Sequence, residues 1–212
     1  MDIVEVIKKV RRIRAKLPGI PSNLIDTSLD PVPPYEGKGS VKLIIIGQDP
    51  TVRKASQRGK IKCTLNLDKK GVLKTYIESI CLGLDLSLDN VYATNVFKYF
   101  YDTPPSDTPE VLKAHLDPNL KLLKKELAAF KSCPIITLGE PVLRLLAGDK
   151  KKVRNYWNYD KKCGFNHVVY YDNKLDRCFF PFPHQPSMRK DFYKTNFDNY
   201  LDYVKENIKT TF

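Results

Sequence analysis

Val41-Lys42-Leu43-Ile44-Ile45-Ile46-Gly47-Gln48-Asp49-Pro50 is the stretch that decides the fold. Val41 to Ile46 form a largely β-branched run closed by a glycine, and a continuous apolar run of this length suits a strand buried on both faces. A carboxylate, Asp49, follows at that strand's carboxyl end. Short apolar runs recur at Val91 to Ala93, Ile135 to Leu138 and Cys178 to Phe182, which predicts three more strands.

Helical patterns lie around and between them. Val72, Leu73, Tyr76, Ile77 and Ile80 recur at helix spacing. Leu120, Leu123 and Leu127 do so after Asp117-Pro118, where Asp117 is placed to cap and Pro118 to occupy the first helical position. A helix starting at Glu140-Pro141 carries Val142, Leu145 and Leu146. The last runs through Tyr193, Phe197, Tyr200, Leu201, Val204 and Ile208, and an N-terminal helix presents Ile3, Ile7 and Val10. Pro18 to Gly39 reads as a long loop. The stretch 149–173, which holds Tyr156, Trp157 and Tyr159, shows no clear periodicity.

Strands alternating with helices predict an α/β fold with right-handed crossovers and a mainly parallel central sheet flanked by helices on both faces. With 212 residues, 42% of them hydrophobic, the chain suffices for one sizeable core and is short for two. A single domain over 1–212 is expected, its motif-bearing core running from about 41. In such sheets ligands bind beyond the carboxyl ends of the strands.

No window approaches roughly 18 consecutive apolar residues, and Met1-Asp2-Ile3-Val4-Glu5 lacks a basic region followed by an apolar run. A soluble protein that is not exported is expected, cytoplasmic and nucleoid-associated, or nuclear in a eukaryote, and monomeric. The five cysteines, Cys63, Cys81, Cys133, Cys163 and Cys178, lack the close spacing of a metal knuckle and are expected to be reduced, mostly buried thiols. A net charge of +12 favours a polyanion, which makes nucleic acid the leading partner, although a lysine-rich solvated surface gives the same number.

Three strand ends deliver polar groups. Gly47-Gln48-Asp49-Pro50 follows the first, Thr94-Asn95 the second, and Phe182-Pro183-His184-Gln185-Pro186-Ser187 the last. Each alone has an ordinary structural reading as a turn, a cap or a satisfied histidine. The Asn95 carboxamide offers the donor and acceptor that a nucleobase edge requires, and Ser187 before a helix could hold a phosphate.

Taken in order, GQDP after a buried strand, an Asn-bearing second strand and a final strand entering a His-x-Pro-Ser turn resemble the uracil-DNA glycosylase superfamily. The first motif is most like the family-1 form, and the resemblance runs from about Leu43 to Tyr200. It implies that Asp49 positions or activates water, that Gly47, Gln48 and Asn95 contact the base, and that His184 assists the departing base. Leu65 falls where family 1 has a stacking Phe. Pro50 and Thr51 lie near the base pocket, with Thr51 where family 1 has the Tyr that excludes the thymine methyl. Gln185 interrupts His-Pro-Ser, so Pro186, Ser187, Met188 and Arg189 take the phosphate and wedge positions.

The activity so implied is hydrolysis of the N-glycosidic bond of a flipped, deaminated base, uracil first, in single- or double-stranded DNA. No cofactor and no metal is expected. Two alternatives stay open: a superfamily member that has lost catalysis and only binds nucleic acid, and an α/β hydrolase of free nucleosides or nucleotides. No Gly-x-x-x-x-Gly-Lys-Ser/Thr loop or Gly-x-Gly-x-x-Gly fingerprint supports the latter.

Overall fold

The computed structural model describes residues 1–20, 23–148, 150–165 and 172–211. Its main sheet has five strands in the order β2-β4-β3-β6-β7, formed by β2 (Tyr35–Glu36), β3 (Leu43–Gly47), β4 (Val91–Asn95), β6 (Ile135–Leu138) and β7 (Phe180–Phe182). The last four are mutually parallel, and β2 runs antiparallel along the β4 edge. Two short strands, β1 (Ile25–Asp26) and β5 (Phe100–Tyr101), pair separately.

Every residue of β3, β4, β6 and β7 is buried. Successive side chains point to opposite faces, so full burial requires cover on both sides of the sheet. That cover is helical. α1 (Ile3–Arg14) packs on α3 (Pro109–Leu127), and α2 (Val72–Gly83) packs on α6 (Asp191–Thr211). α4 (Glu140–Ala147) follows β6, with Val142, Leu143, Leu145 and Leu146 turned inward.

Three sequence expectations change. α3 starts at Pro109, so Pro118 lies inside a 19-residue helix instead of opening it. Thr108-Pro109 is the true start, with proline in the first turn where its missing N–H costs nothing. Thr108 makes no side-chain cap bond; its Oγ1 accepts instead from Asn23 Nδ2 at 2.8 Å. The segment Pro18 to Gly39 is not one loop, since it contributes β1 and the edge strand β2. In α1 the buried positions are Val6 and Val10, with Ile3 and Ile7 only half-buried.

None of the five cysteines forms a disulfide among the described residues, yet only Cys81 and Cys133 are buried, so "mostly buried" does not hold. Within 149–173 the chain forms the short helix α5 (Val153–Tyr156), which delivers Trp157 into the core with no exposed surface. The indole donates to Pro181 O at 2.8 Å and stacks on Tyr200 with centroids 4.4 Å apart, which ties β7 to α6. No helix among the described residues is long and apolar enough to cross a membrane.

Candidate active site

Strand register assembles the site. Gly47 and Asn95 are direct partners at the carboxyl ends of β3 and β4. The ladder continues past them, as Val96 N donates to Gly47 O and Phe97 N to Gln48 O, both at 2.9 Å. On the other side, Gly139 N donates to Phe182 O at 2.7 Å, which closes the ends of β6 and β7 together. β6 lies between β3 and β7, so at ~4.8 Å per strand the segments bearing Asp49 and His184 leave their strands about 10 Å apart. That gap fits a nucleotide held between them.

A cavity of about 360 Å³ fills it, lined by Gly47, Gln48, Asp49, Thr51, Leu65 and His184 among the residues anticipated from sequence. Leu73, Ser106, Leu138, Gly139 and Pro141 complete the wall. Gly139, at φ +90°, holds a left-handed backbone that glycine tolerates, and a Cβ there would stand 3.5 Å from the His184 Cβ.

Asn95 lies beneath Gly47 and is not part of the lining. A Cβ on residue 47 would come within 2.3 Å of Asn95 Oδ1 and 3.1 Å of Leu65 Cδ2, so the missing side chain makes room for the carboxamide. Asn95 Oδ1 and Gln48 Nε2 are both buried without a hydrogen-bond partner among the described residues. An unsatisfied buried polar atom costs roughly 1–3 kcal/mol. Gln48 lines the cavity, so its unpaired donor is the one a base edge there would meet, whereas Asn95 Oδ1 stays behind Gly47.

Asp49 accepts from Thr51 N at 2.7 Å, and Tyr101 N in turn donates to Thr51 Oγ1 at 2.9 Å. Burial raises the Asp49 carboxyl to about 6, against the opposing pull of the Thr51 hydrogen bonds and the Arg58 charge. A carboxylate poised there is ionised at neutral pH and still able to take a proton. Burial against the cavity wall lowers the His184 pKa, so a neutral imidazole faces the cavity at pH 7. The residue is nonetheless exposed at the cavity mouth.

Leu65 and Asn66 both adopt positive φ, 59° and 52°. For leucine this is a strained conformation, of the kind held at sites by surrounding structure. Phe97 and Tyr99 are fully buried and absent from the lining, so neither supplies an aromatic face in place of Leu65.

The second motif spreads out. Pro50 is buried behind the cavity, and Gln185–Arg189 form a five-residue 3₁₀ turn, not the start of an α-helix. Ser187 N donates to His184 O at 2.8 Å, Met188 packs half-buried on the core, and Pro186 and Arg189 are exposed. α6 begins only at Asp191.

Most of this arrangement matches one family model, Uracil DNA glycosylase superfamily, over residues 33–205. The chain belongs to the uracil DNA glycosylase superfamily. Membership supports a DNA-glycosylase-type function, and members of the superfamily act on DNA. No curated protein matches the chain.

Several groups that support this site were not singled out from sequence. Arg58, 5% exposed, donates from Nε to Val52 O at 3.1 Å and from Nη2 to Asp102 O at 2.8 Å, which anchors the loop after Asp49. Lys98, 1% exposed, donates to Asn95 O and pairs with Glu126 Oε2, both at 2.8 Å, while Tyr92 OH donates to Glu126 Oε1 at 2.7 Å. This buried network holds the backbone of the Asn95 strand end. Behind Thr51, His115 Nε2 lies 3.0 Å from Pro18 O and its Nδ1 lies 3.2 Å from Tyr101 OH. Burial lowers the His115 pKa, consistent with a neutral ring that donates to the carbonyl and accepts from the phenol. Isolated Arg, Lys and His residues in a basic chain read as solvated surface, and no local pattern marks these three as buried.

Proposed function

We propose that this protein hydrolyses the N-glycosidic bond of a deaminated nucleotide in DNA, with uracil as the leading base. The observation that carries the reading is the convergence of Asp49, Gln48 and His184 on one cavity, with the unpaired Asn95 oxygen directly beneath.

The bond between the sugar C1′ and the base nitrogen breaks, leaving an oxocarbenium-like sugar and an anionic base. Asp49, ionised above about pH 6, stabilises the cation. It directs water to C1′ and receives the proton that the water loses. The neutral imidazole of His184 donates a hydrogen bond to the oxygen on which the base's charge develops. The products are the free base and an abasic sugar. C1′ is out of reach in a stacked duplex, so the nucleotide is flipped or taken from a single strand.

Thr51 and Leu65 shape specificity. Thr51 is smaller than the family-1 Tyr and its hydroxyl is occupied by Tyr101 N, so nothing bulky at this position rejects a thymine methyl. Single- and double-stranded oligonucleotides carrying uracil, hypoxanthine, xanthine or mismatched thymine, followed by abasic-site cleavage, test the reading. Strand breaks at uracil are expected. Binding without breaks at any base would reduce the protein to a nucleic-acid binder.

A further inference from the structure

The candidate catalytic cavity shares walls with two others. Leu65 and Leu73 also line a cavity of about 370 Å³ bordered by Lys60, Lys69, Lys70 and Lys74. Ser106 and Pro141 also line one of about 300 Å³. The two flanks differ in chemistry. The first presents four ammonium groups. The second is lined by Pro105, Pro109, Leu112, Pro141 and Leu145, together with Lys113 from α3 and Arg144 from α4, the latter ion-paired with Glu140.

That second cavity is built to stay open. Pro109 and Pro141 are exposed and Pro105 is buried beside them, and proline rings cannot rotate into the space they border. Arg144 is held by Glu140 one turn earlier on α4 and by a bond from Nε to Lys151 O at 3.4 Å. A rigid apolar slot with preset cations takes a flat apolar face carrying an anion without the usual ordering cost. Its size lies at the lower end of the roughly 300–1,000 Å³ of small-ligand sites. No aromatic side chain lines it.

We infer that this proline-lined slot receives the base of the nucleotide next to the flipped one on the same DNA strand, with Lys113 and Arg144 on the intervening phosphate. The lysine flank then carries phosphates of the strand's other arm. This inference rests on the proposed DNA glycosylase reading and deepens it. A neighbouring base can enter the slot only when it is unstacked, so single-stranded substrate is favoured over duplex.

The test uses the full chain and single-stranded oligonucleotides with one uracil, in which the 5′ or the 3′ neighbour is replaced by a baseless tetrahydrofuran residue. One replacement and not the other is expected to lower single-turnover kcat/KM at least about fivefold, the low end of what one stacked base contributes, because the apolar lining is aliphatic. Equal response to both replacements would overturn the inference and leave the glycosylase reading standing. A cleavage-independent arm places 2-aminopurine in turn at the 5′ and at the 3′ neighbour and reads whichever responds. Its emission should rise on binding, as the base leaves its stack for a slot without aromatics, and Pro109→Trp or Lys113→Trp should abolish the rise with thermal unfolding unchanged. If no uracil is released from any substrate, that arm alone decides. A rise lost in both variants sustains the slot, and no rise refutes it.

Discussion

Replacing Asp49 by Asn should make the protein more stable at neutral pH while it slows base release. Burial lifts this carboxyl to about 6 in the fold, against ~3.9 in an unfolded chain. Between those values the folded state binds the proton more readily than the unfolded state, so stability falls as pH rises through the window. A gap of about two pH units at ~1.4 kcal/mol each gives a penalty of up to ~3 kcal/mol, complete above about pH 6. Asn keeps the shape and the acceptor for Thr51 N, now 2.7 Å from Oδ1, without the charge. Urea unfolding of parent and variant at pH 7.5 and pH 4 measures the difference. The variant should lead by as much as ~3 kcal/mol at pH 7.5, and the lead should vanish at pH 4, where both side chains are neutral. The parent's single-turnover rate should climb through about pH 6 and level off, a limb the variant lacks. A stability difference independent of pH would show that the carboxylate is not desolvated, and the argument for its role would fail with it.

Three other substitutions probe the surrounding parts. Gly47→Ala drives a methyl to within 2.3 Å of Asn95 Oδ1; uracil binding by titration should collapse, with a loss of roughly 1–3 kcal/mol in urea unfolding. His184→Ala should slow single-turnover base release by ~10²-fold or more, since one oxyanion donor is removed. Its thermal midpoint should barely move, because the residue is exposed; a large drop would mark the histidine as structural. Lys98→Met strands the Glu126 carboxylate in the core and should cost roughly 3–5 kcal/mol in urea unfolding, with most of it recovered in the double variant Lys98→Met/Glu126→Leu.

The strands were readable in the sequence because burial on both faces leaves an unbroken apolar run, as at Leu43 to Ile46 and Ile135 to Leu138. Their carboxyl ends then located Asp49, Asn95 and His184, since a parallel sheet gathers such ends along one edge. The start of α3 is masked by a stronger local signal: Asp117-Pro118 has a start's chemistry, yet the helix, packed against α1, runs through it. β2 was hidden for the opposite reason. Two residues are too few to show alternation, and Tyr35–Glu36 become a strand only through β4. The charges under the site were illegible because burial of Lys98 depends on Glu126, 28 positions away, and that of Arg58 on carbonyls at Val52 and Asp102.

Trp157 has a use beyond packing. It is the chain's single tryptophan, and its indole N–H is bonded to Pro181 O, three residues before His184. Light absorbed at the red edge of the aromatic band therefore excites one fluorophore, seated on the strand that carries the imidazole. A shift of its emission on adding DNA would report movement at the seam between that strand and α6, with no label attached and no residue exchanged.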